Sequence, residues 1–184
     1  MRAIDGQISY RAVRNHGTIG GSVALADPAA DWPVFLSTFG ATLRIVGRNG
    51  VRVQSIDDFI QGPYETTLST GDIIMGFDIP APPASFRWGF SKVARKSGAF
   101  AQSLAVVVAA GKGGPVKAVL GAAGPKPRAL VATAAQLEIP DSSEQDIRVA
   151  IRADLNAYFG ELDDYQKRMH TANVLHAARN MRAQ

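Results

Sequence analysis

The apolar positions in the first part of the chain predict one amphipathic helix. This helix is expected to begin with Asp27 as its N-cap and Pro28 as its first residue, and to end at Gly40. Residues at helical spacing give it a single apolar face, namely Trp32, Phe35, Leu36 and Phe39. The residues before it, 1–14, are predicted to form an extended or frayed segment that leads into a glycine-rich turn.

Apolar and polar residues then alternate in a way that predicts β-structure. Asn49-Gly50 separates two apolar runs and indicates a hairpin, because both residues tolerate a positive φ. Ser55, with Asp58 three residues later, predicts the start of a short helix. A polar loop is expected over residues 61–72, followed by a strand over residues 73–79.

The second half of the chain predicts strands first and helices afterwards. Strands are expected at residues 86–93, 102–110 and 116–121, with a hairpin loop at 111–114. Helices are expected at residues 130–137, from Ser143 to about Tyr158, and from Asp163 or Asp164 towards the C-terminus. The last helix carries an apolar stripe made of Tyr165, Met169, Ala172, Leu175 and Ala178.

A proline-rich stretch, Pro80–Pro83, marks the predicted boundary between two units. Three prolines in four positions remove hydrogen-bond donors and favour an extended spacer. We therefore predict one domain at residues 1–80 and a second at residues 84–184. Each unit is expected to combine an antiparallel sheet with helices, and about three helices should cover the second sheet. The predicted fold class is α+β.

The composition is that of a globular protein without disulfides. Hydrophobic residues make up 46% and charged residues 20% of the 184 residues. Because cysteine is absent, disulfides, thiolate metal sites and iron–sulfur ligation are excluded. No apolar run is long enough to cross a bilayer, and the N-terminus lacks the apolar core of a signal peptide. A cytoplasmic protein is the simplest interpretation.

Charge and histidine placement do not indicate a nucleic-acid or metal site. The net charge of +4 would suit an anionic ligand or partner. However, the basic residues are scattered and are not interleaved with aromatic residues, so no nucleic-acid partner is expected. His170 and His176 are six residues apart on a predicted helix and would lie on different faces. No metal ligand and no catalytic nucleophile are predicted.

The best candidate for ligand binding is the glycine-rich segment Arg14–Ser22. Its adjacent glycines, Gly20 and Gly21, are predicted to turn the backbone sharply and to leave main-chain N–H groups uncovered. Successive N–H groups in such a turn suit phosphate oxygens. A tight turn that only connects two elements is the alternative.

The segment also resembles the FAD-binding (medium) subunit of the molybdenum hydroxylases, the family of carbon monoxide dehydrogenase and xanthine dehydrogenase. In that family the motif Arg-Asn-x-Gly-Thr-Ile-Gly-Gly-Ser/Asn contacts the FAD pyrophosphate, and Ala-Asp-Pro-x-x-Asp follows at a fixed interval. Here Asp27 and Asp31 are in register with the second motif. Further matches follow in order at Asp58-Phe59, Gly62, Tyr64, Thr67-Leu68, Gly71–Ile74, Phe90–Lys92 and Arg95. The resemblance runs from about Val13 to the C-terminus.

The resemblance implies a set of FAD-binding residues. Those expected to face the diphosphate are Thr18, Ile19, Gly20, Gly21 and Ser22. Asp31 matches a carboxylate that bonds the ribityl region, Met75 a position beside the isoalloxazine ring, and Lys92 a lysine near the flavin. The alternatives are an acidic first-turn residue for Asp31, a core residue for Met75 and a surface residue for Lys92. Gly98-Ala99-Phe100 departs from the family, whose members often have an acidic residue in this region.

The resemblance further implies an oxidoreductase role inside a complex. In the family, substrate is oxidised at a molybdenum cofactor on a large subunit, and electrons cross iron–sulfur clusters on a small subunit to FAD on the medium subunit. Family members also carry an N-terminal FAD subdomain with a second glycine-rich segment, which a separate subdomain would have to supply here. The alternatives are a docking or assembly module that no longer binds FAD alone, and a small basic binding domain unrelated to flavin.

Overall fold

The computed structural model describes residues 8–111 and 113–184. Within its described residues, the first half has the helices α1 (Arg11–Arg14), α2 (Ile19–Leu25) and α3 (Asp31–Thr38), then strands β1 (Thr42–Gly47) and β2 (Gly50–Ser55), helix α4 (Ile56–Phe59), and strands β3 (Ile60–Gly62), β4 (Glu65–Thr66) and β5 (Ile73–Asp78). The second half contains β6 (Arg87–Val93), β7 (Ser103–Ala109), β8 (Val116–Gly121) and β9 (Arg128–Ala129), followed by α5 (Val131–Glu138), α6 (Glu144–Tyr158) and α7 (Asp164–Arg182).

The strands form three antiparallel sheets, in the orders β2-β1-β5, β3-β4 and β6-β7-β8-β9. The α+β class predicted from the sequence is confirmed. The short pair β3–β4 lies where a polar loop was expected, so that part of the prediction is wrong. The stretch 79–83 has no regular secondary structure, and a domain division there stays a prediction. No helix in the described ranges is both long and apolar enough to span a membrane.

The hairpin β1–β2 confirms the prediction made from Asn49-Gly50, but not its detail. The strands pair up to Gly47 opposite Gly50, so the connecting residues are Arg48 and Asn49. Gly50 has a φ of 98°, whereas Asn49 keeps a negative φ. Only the glycine therefore needs the left-handed region, because it lies after the two connecting residues rather than between them.

Helix α3 differs from its prediction in both its start and its environment. It begins at Asp31 because the Asp27 carboxylate accepts a hydrogen bond from the Ala29 N–H at 2.8 Å, which makes a turn instead of a helix cap. Every residue of the helix except Trp32 is buried, so the single apolar face is wrong. The helix lies between two cores: Leu36 packs into the first and Val34 into the second. Gly40, with a φ of 63°, follows its end as predicted.

The four-stranded sheet forms the centre of the second half. Strand β7 is buried along its whole length, with Val107 packed towards the C-terminal helices and Val106 towards α3. Helix α7 crosses close to β6 at Gly89, where an added Cβ would lie 1.8 Å from the Ala177 carbonyl oxygen. The predicted strands and all three C-terminal helices are confirmed within one or two residues, while Lys112 of the β7–β8 loop lies outside the described residues.

Helix α7 attaches to the sheet through polar as well as apolar side chains. Its buried positions are His170, Thr171, Asn173, Val174, Leu175, Ala177, Ala178 and Met181, so the predicted stripe is wrong at Tyr165 and Ala172, which are exposed. The hydroxyl of Ser103 lies 2.8 Å from His170 Nδ1 and accepts from the Asn173 amide at 2.9 Å. Burial lowers the pKa of His170 from 6.5 to about 4.

The N-terminal segment is partly helical. Residues 1–7 lie outside the described residues, but α1 forms a helical turn where an extended or frayed segment was predicted. The Arg14 side chain donates hydrogen bonds to the carbonyl oxygens of Ile8 and Ser9, at 3.0 and 2.7 Å. These bonds hold the segment before α1 against the helix.

Candidate functional site

A cleft of about 470 Å³ opens where both halves of the chain meet. The first half contributes α1, the start of α2 and the start of α3, and the second half contributes the loop Gly98–Phe100. The Tyr10 ring lies close to Gly98 beside the cleft, since a Cβ on Gly98 would lie 2.9 Å from two of its ring atoms. The residues lining the cleft include Val13, Arg14, His16, Thr18, Ile19, Gly21, Ser22, Leu25, Asp27, Asp31, Trp32 and Phe100.

The glycine pair lies in the first turn of α2, so the predicted tight turn is wrong. Thr18 is the N-cap, and its hydroxyl oxygen accepts a hydrogen bond from the Gly21 N–H at 2.9 Å. The helix therefore begins directly after Thr18, and both glycines lie in its first turn. The N–H groups of Ile19 and Gly20 lie before the first helical acceptor and have no carbonyl in α2 to which they can donate. Amide donors are thus present, but at the start of a helix.

The hydrogen bond of the Thr18 cap explains why residue 21 is a glycine. A Cβ on Gly21 would lie 3.0 Å from the Thr18 hydroxyl oxygen, so a side chain there would crowd the hydrogen bond. A Cβ on Gly20 would have nothing within 4 Å, and Gly20 is not among the lining residues. Four of the five predicted diphosphate contacts therefore line the cleft, namely Thr18, Ile19, Gly21 and Ser22.

Asp31 lies at the base of the cleft and forms a buried ion pair with Lys92. The residue is 7% exposed, the lysine side chain is 5% exposed, and Nζ lies 2.9 Å from each carboxylate oxygen. Nζ donates a well-directed hydrogen bond to Oδ2, while Oδ1 accepts none within the described part of the chain. Burial raises the pKa of Asp31, and this effect outweighs the opposing effect of the nearby ammonium group.

Lys92 and Met75 do not line the cleft. Lys92 lies behind Asp31 on β6, and its buried side chain contradicts the alternative of a surface lysine. Met75 lies on β5 with 66% of its surface exposed, which contradicts the alternative of a core methionine. A flavin contact by Lys92 or Met75 stays a prediction. The ion pair itself joins residues 61 positions apart, and sequence spacing gave no signal for it.

The structure adds residues that the sequence interpretation did not place at the site. Tyr64 donates a hydrogen bond to Asp27 Oδ2 at 3.2 Å, and its φ of 59° is left-handed although it is not a glycine. The Asp27 carboxylate raises the pKa of the Tyr64 hydroxyl. Phe100 lines the cleft with 66% of its surface exposed. The match at Tyr64 and the departure at Ala99 were the available signals for these two regions.

The sequence is similar to a known family model and to the medium subunits of characterised enzymes. Residues 4–82 match the family model described as FAD binding domain in molybdopterin dehydrogenase. The chain is 35% identical to the carbon monoxide dehydrogenase medium chain of Afipia carboxidovorans over 102 residues, which is 55% of this chain and 35% of that protein. It is also 35% identical to the nicotine 6-hydroxylase medium subunit of Paenarthrobacter nicotinovorans over 108 residues, 59% of this chain and 38% of that protein.

A solved structure is similar over nearly the whole chain. It is the carbon monoxide dehydrogenase of Hydrogenophaga pseudoflava that lacks the Mo-pyranopterin moiety of the molybdenum cofactor. The TM-score is 0.87 at 27% identity, and the match covers 96% of this chain and 64% of the solved chain. The chain thus spans little more than a third of the length of the curated relatives it matches and under two thirds of this solved chain.

Proposed function

The chain carries the FAD-binding domain of the molybdopterin dehydrogenases and belongs with the medium subunits of the molybdenum hydroxylase family, and on this premise we propose that it is a flavin-carrying oxidoreductase component. The resemblance predicted from the sequence is thereby confirmed, with FAD as the cofactor that the domain implies. The matched relatives are dehydrogenase or hydroxylase subunits, and the activity we propose for this chain is exerted only within a complex.

The polar end of the cleft fits the FAD diphosphate. The N–H group of Ile19 and the hydroxyl of Ser22 provide donors where the start of α2 lines the cleft. The Thr18 hydroxyl accepts from Gly21 and keeps its own hydrogen available for donation. Because both glycines lack a Cβ, a phosphate group could approach the main chain closely.

The base of the cleft fits a hydroxyl-bearing part of the cofactor, and this observation carries the proposal. Asp31 lines the cleft, and its buried Oδ1 lies 2.9 Å from Lys92 Nζ but accepts no hydrogen bond within the described residues, so a ribityl hydroxyl at this end of the cleft would supply a donor. Lys92 holds the same carboxylate from behind through Oδ2. The exposed apolar walls, which include Val13 and Phe100, would cover apolar parts of the cofactor. Bound FAD accepts electrons and passes them on; the protein groups bind and orient it.

The proposed electron route follows the resemblance. Electrons would arrive from an iron–sulfur small subunit, which receives them from a molybdenum-cofactor large subunit, and would leave FAD for an acceptor. We also propose that a further FAD subdomain, on a separate chain if need be, completes the other side of the diphosphate site. Residues 1–80 would then form the FAD-binding unit and residues 84–184 the second α+β unit. A cytoplasmic location would suit this role.

A second candidate is a docking or assembly module that no longer binds FAD alone. The exposed cleft walls favour it, since Val13, Leu25 and Phe100 leave large apolar surfaces uncovered. Such a module would use the same α+β units to contact partner subunits. It would differ from the flavoprotein in having no measurable affinity for free FAD.

Fluorescence quenching during titration with FAD separates the two functions. The wild-type chain is expected to bind one FAD, and Asp31→Asn should weaken binding by about tenfold, because a charged acceptor at the base of the cleft is lost. Asp78→Asn is the matched control, since Asp78 is exposed and paired with Arg44 away from the cleft. Thermal melting of each variant would show that the folded state is retained. If FAD does not bind even when the N-terminal FAD subdomain of a relative is added, the flavoprotein proposal is contradicted. The docking or assembly module is then the remaining candidate.

A further inference from the structure

A second, polar cleft of about 370 Å³ lies between α6 and α7. It shares no lining residue with the cleft described above. Helix α6 contributes Arg152 and Asn156, which are one turn apart, and α7 contributes residues from its first two turns. The six lining residues are Arg152, Leu155, Asn156, Asp164, Lys167 and Arg168. The buried side chain of Leu155 forms an apolar floor under otherwise polar walls.

The cationic side chains of this cleft have no acceptor in the described part of the chain. Arg152 on one wall, and Lys167 and Arg168 on the other, make neither a side-chain hydrogen bond nor an ion pair there. Other arginines on the same two helices are paired: Arg148 and Arg179 both contact Glu144, at 3.2 and 2.5 Å. On these two helices, the unpaired cations Arg152, Lys167 and Arg168 are therefore concentrated around one concavity.

Charge and shape together favour a small anion as the ligand. Three cations and one carboxylate, Asp164, leave the cleft with a net charge of +2. Cations on opposite walls repel one another, and an anion between them would relieve that repulsion while accepting hydrogen bonds from both helices. The guanidinium groups of Arg152 and Arg168 present paired donors that suit oxyanions, and the Asn156 amide adds a neutral donor.

We propose that this cleft binds a phosphate group, either as free inorganic phosphate or as the terminal phosphate of a phosphate ester. An acidic protein segment fits less well, because the cleft is confined to two helices and Asp164 at the start of α7 would repel an extended chain of carboxylates. The site is independent of FAD binding, since none of its residues belongs to the cofactor cleft.

Titration with inorganic phosphate at low ionic strength, followed by amide resonances of the 184-residue chain, tests this site. Saturable shifts are expected at Asn156 and Lys167, and chloride at matched ionic strength should not reproduce them. Arg152→Gln and Arg168→Gln should each weaken phosphate binding about tenfold, whereas Arg148→Gln, on the same helix and outside the cleft, should leave it unchanged.

ADP distinguishes the two sources of phosphate. Tighter binding of ADP than of inorganic phosphate in this cleft would support a phosphate ester as the ligand, and equal or weaker binding would support the free anion. Absence of saturable shifts, an equal loss in Arg148→Gln, or binding of a polyglutamate peptide without binding of phosphate would overturn the proposal. Arg152 and Arg168 are exposed and Arg148 is half-buried at the surface, so melting temperatures close to that of the wild type are expected for the variants.

Discussion

At the scale of single residues, the pair Asp31–Lys92 connects the cleft lined by α1, α2 and α3 to the sheet β6-β7-β8-β9. Both side chains are almost fully buried, and their charged atoms lie 2.9 Å apart. Taking two charges out of water costs free energy. The buried pair is therefore tolerated only because each charge compensates the other. Asp31 lines the cleft, and Lys92 Nζ on β6 lies 2.9 Å from both of its carboxylate oxygens.

Removing Lys92 should destabilise the fold in a pH-dependent way. In Lys92→Met the buried carboxyl loses its cation, so the pKa of Asp31 rises further above its ordinary value of 3.8. A carboxyl whose pKa is raised by folding favours the folded state at low pH and loses that contribution as the pH rises through its folded pKa. The variant should thus lose about 3–5 kcal/mol relative to wild type at pH 7, and less under acidic conditions.

Urea unfolding of both proteins at several pH values would measure this difference. Lys96→Met is the control, since Lys96 is exposed and should change the free energy of unfolding little at any pH. A loss for Lys92→Met that is the same at pH 5 and pH 7 would contradict the account. The double variant Asp31→Leu/Lys92→Met should recover part of the stability, because no buried charge is left.

His170 should make stability fall on acidification. Its pKa of about 4 in the folded state lies below the ordinary value of 6.5, so the unfolded state binds the proton more readily. The contribution is fully present above pH 6.5 and is lost as the pH falls to about 4, by roughly 3 kcal/mol for a shift of this size. His170→Asn should remove this part of the pH dependence, and His176→Asn should not. A pKa near 6.5 for His170, measured by NMR titration, would exclude the effect.

At the scale of elements, local signals predicted most boundaries correctly. The cap at Ser143, whose hydroxyl accepts from the Asp146 N–H while the Asp146 carboxylate accepts from Ser143, starts α6 where the sequence indicated. The Ser55 hydroxyl accepts from the Asp58 N–H and starts α4 at the position that the sequence indicated. Such signals involve residues three positions apart, so they can be recognised without knowledge of the fold.

Signals that depend on tertiary context were misleading. Asp27 has the residue type of a helix cap, but its carboxylate is used by the Ala29 N–H and by Tyr64, and α3 begins four residues later. The glycine pair predicted a turn because its N-cap, Thr18, was taken as part of the turn. The predicted face of α3 failed because sheets pack against it on more than one side, an arrangement that no local pattern reveals.

The packing of α7 on β6 predicts opposite outcomes for two glycine substitutions. In Gly89→Ala the new Cβ would overlap the backbone of α7, so the free energy of unfolding should fall by about 3 kcal/mol or more. In Gly20→Ala the Cβ meets nothing within 4 Å and the residue is helical, so stability should be unchanged or rise by up to about 1 kcal/mol. Thermal or urea unfolding compares the two directly. Equal stability of the two variants would contradict the close approach of α7.

At the scale of the whole molecule, side chains of the second half hold the first half. Lys117 donates a hydrogen bond to the Ser37 carbonyl oxygen at the end of α3, and Lys126 donates to those of Asp57 and Ile60 at 3.2 and 3.0 Å. Both halves also line the cleft at α1, α2 and α3, because Phe100 comes from the second half and Thr18 and Asp31 come from the first. The sequence motifs identified the residue types of the site, whereas this joint arrangement required the structure.

An NMR titration of the wild-type chain with FAD tests whether the chain is a flavoprotein unit. Binding in the cofactor cleft predicts saturable shifts at the amides of Ile19, Gly20, Gly21 and Asp31, with little change at Asn156 between α6 and α7. Saturation at one FAD per chain would support a flavoprotein unit. The absence of shifts at saturating FAD, or shifts confined to residues outside the cleft, would contradict it.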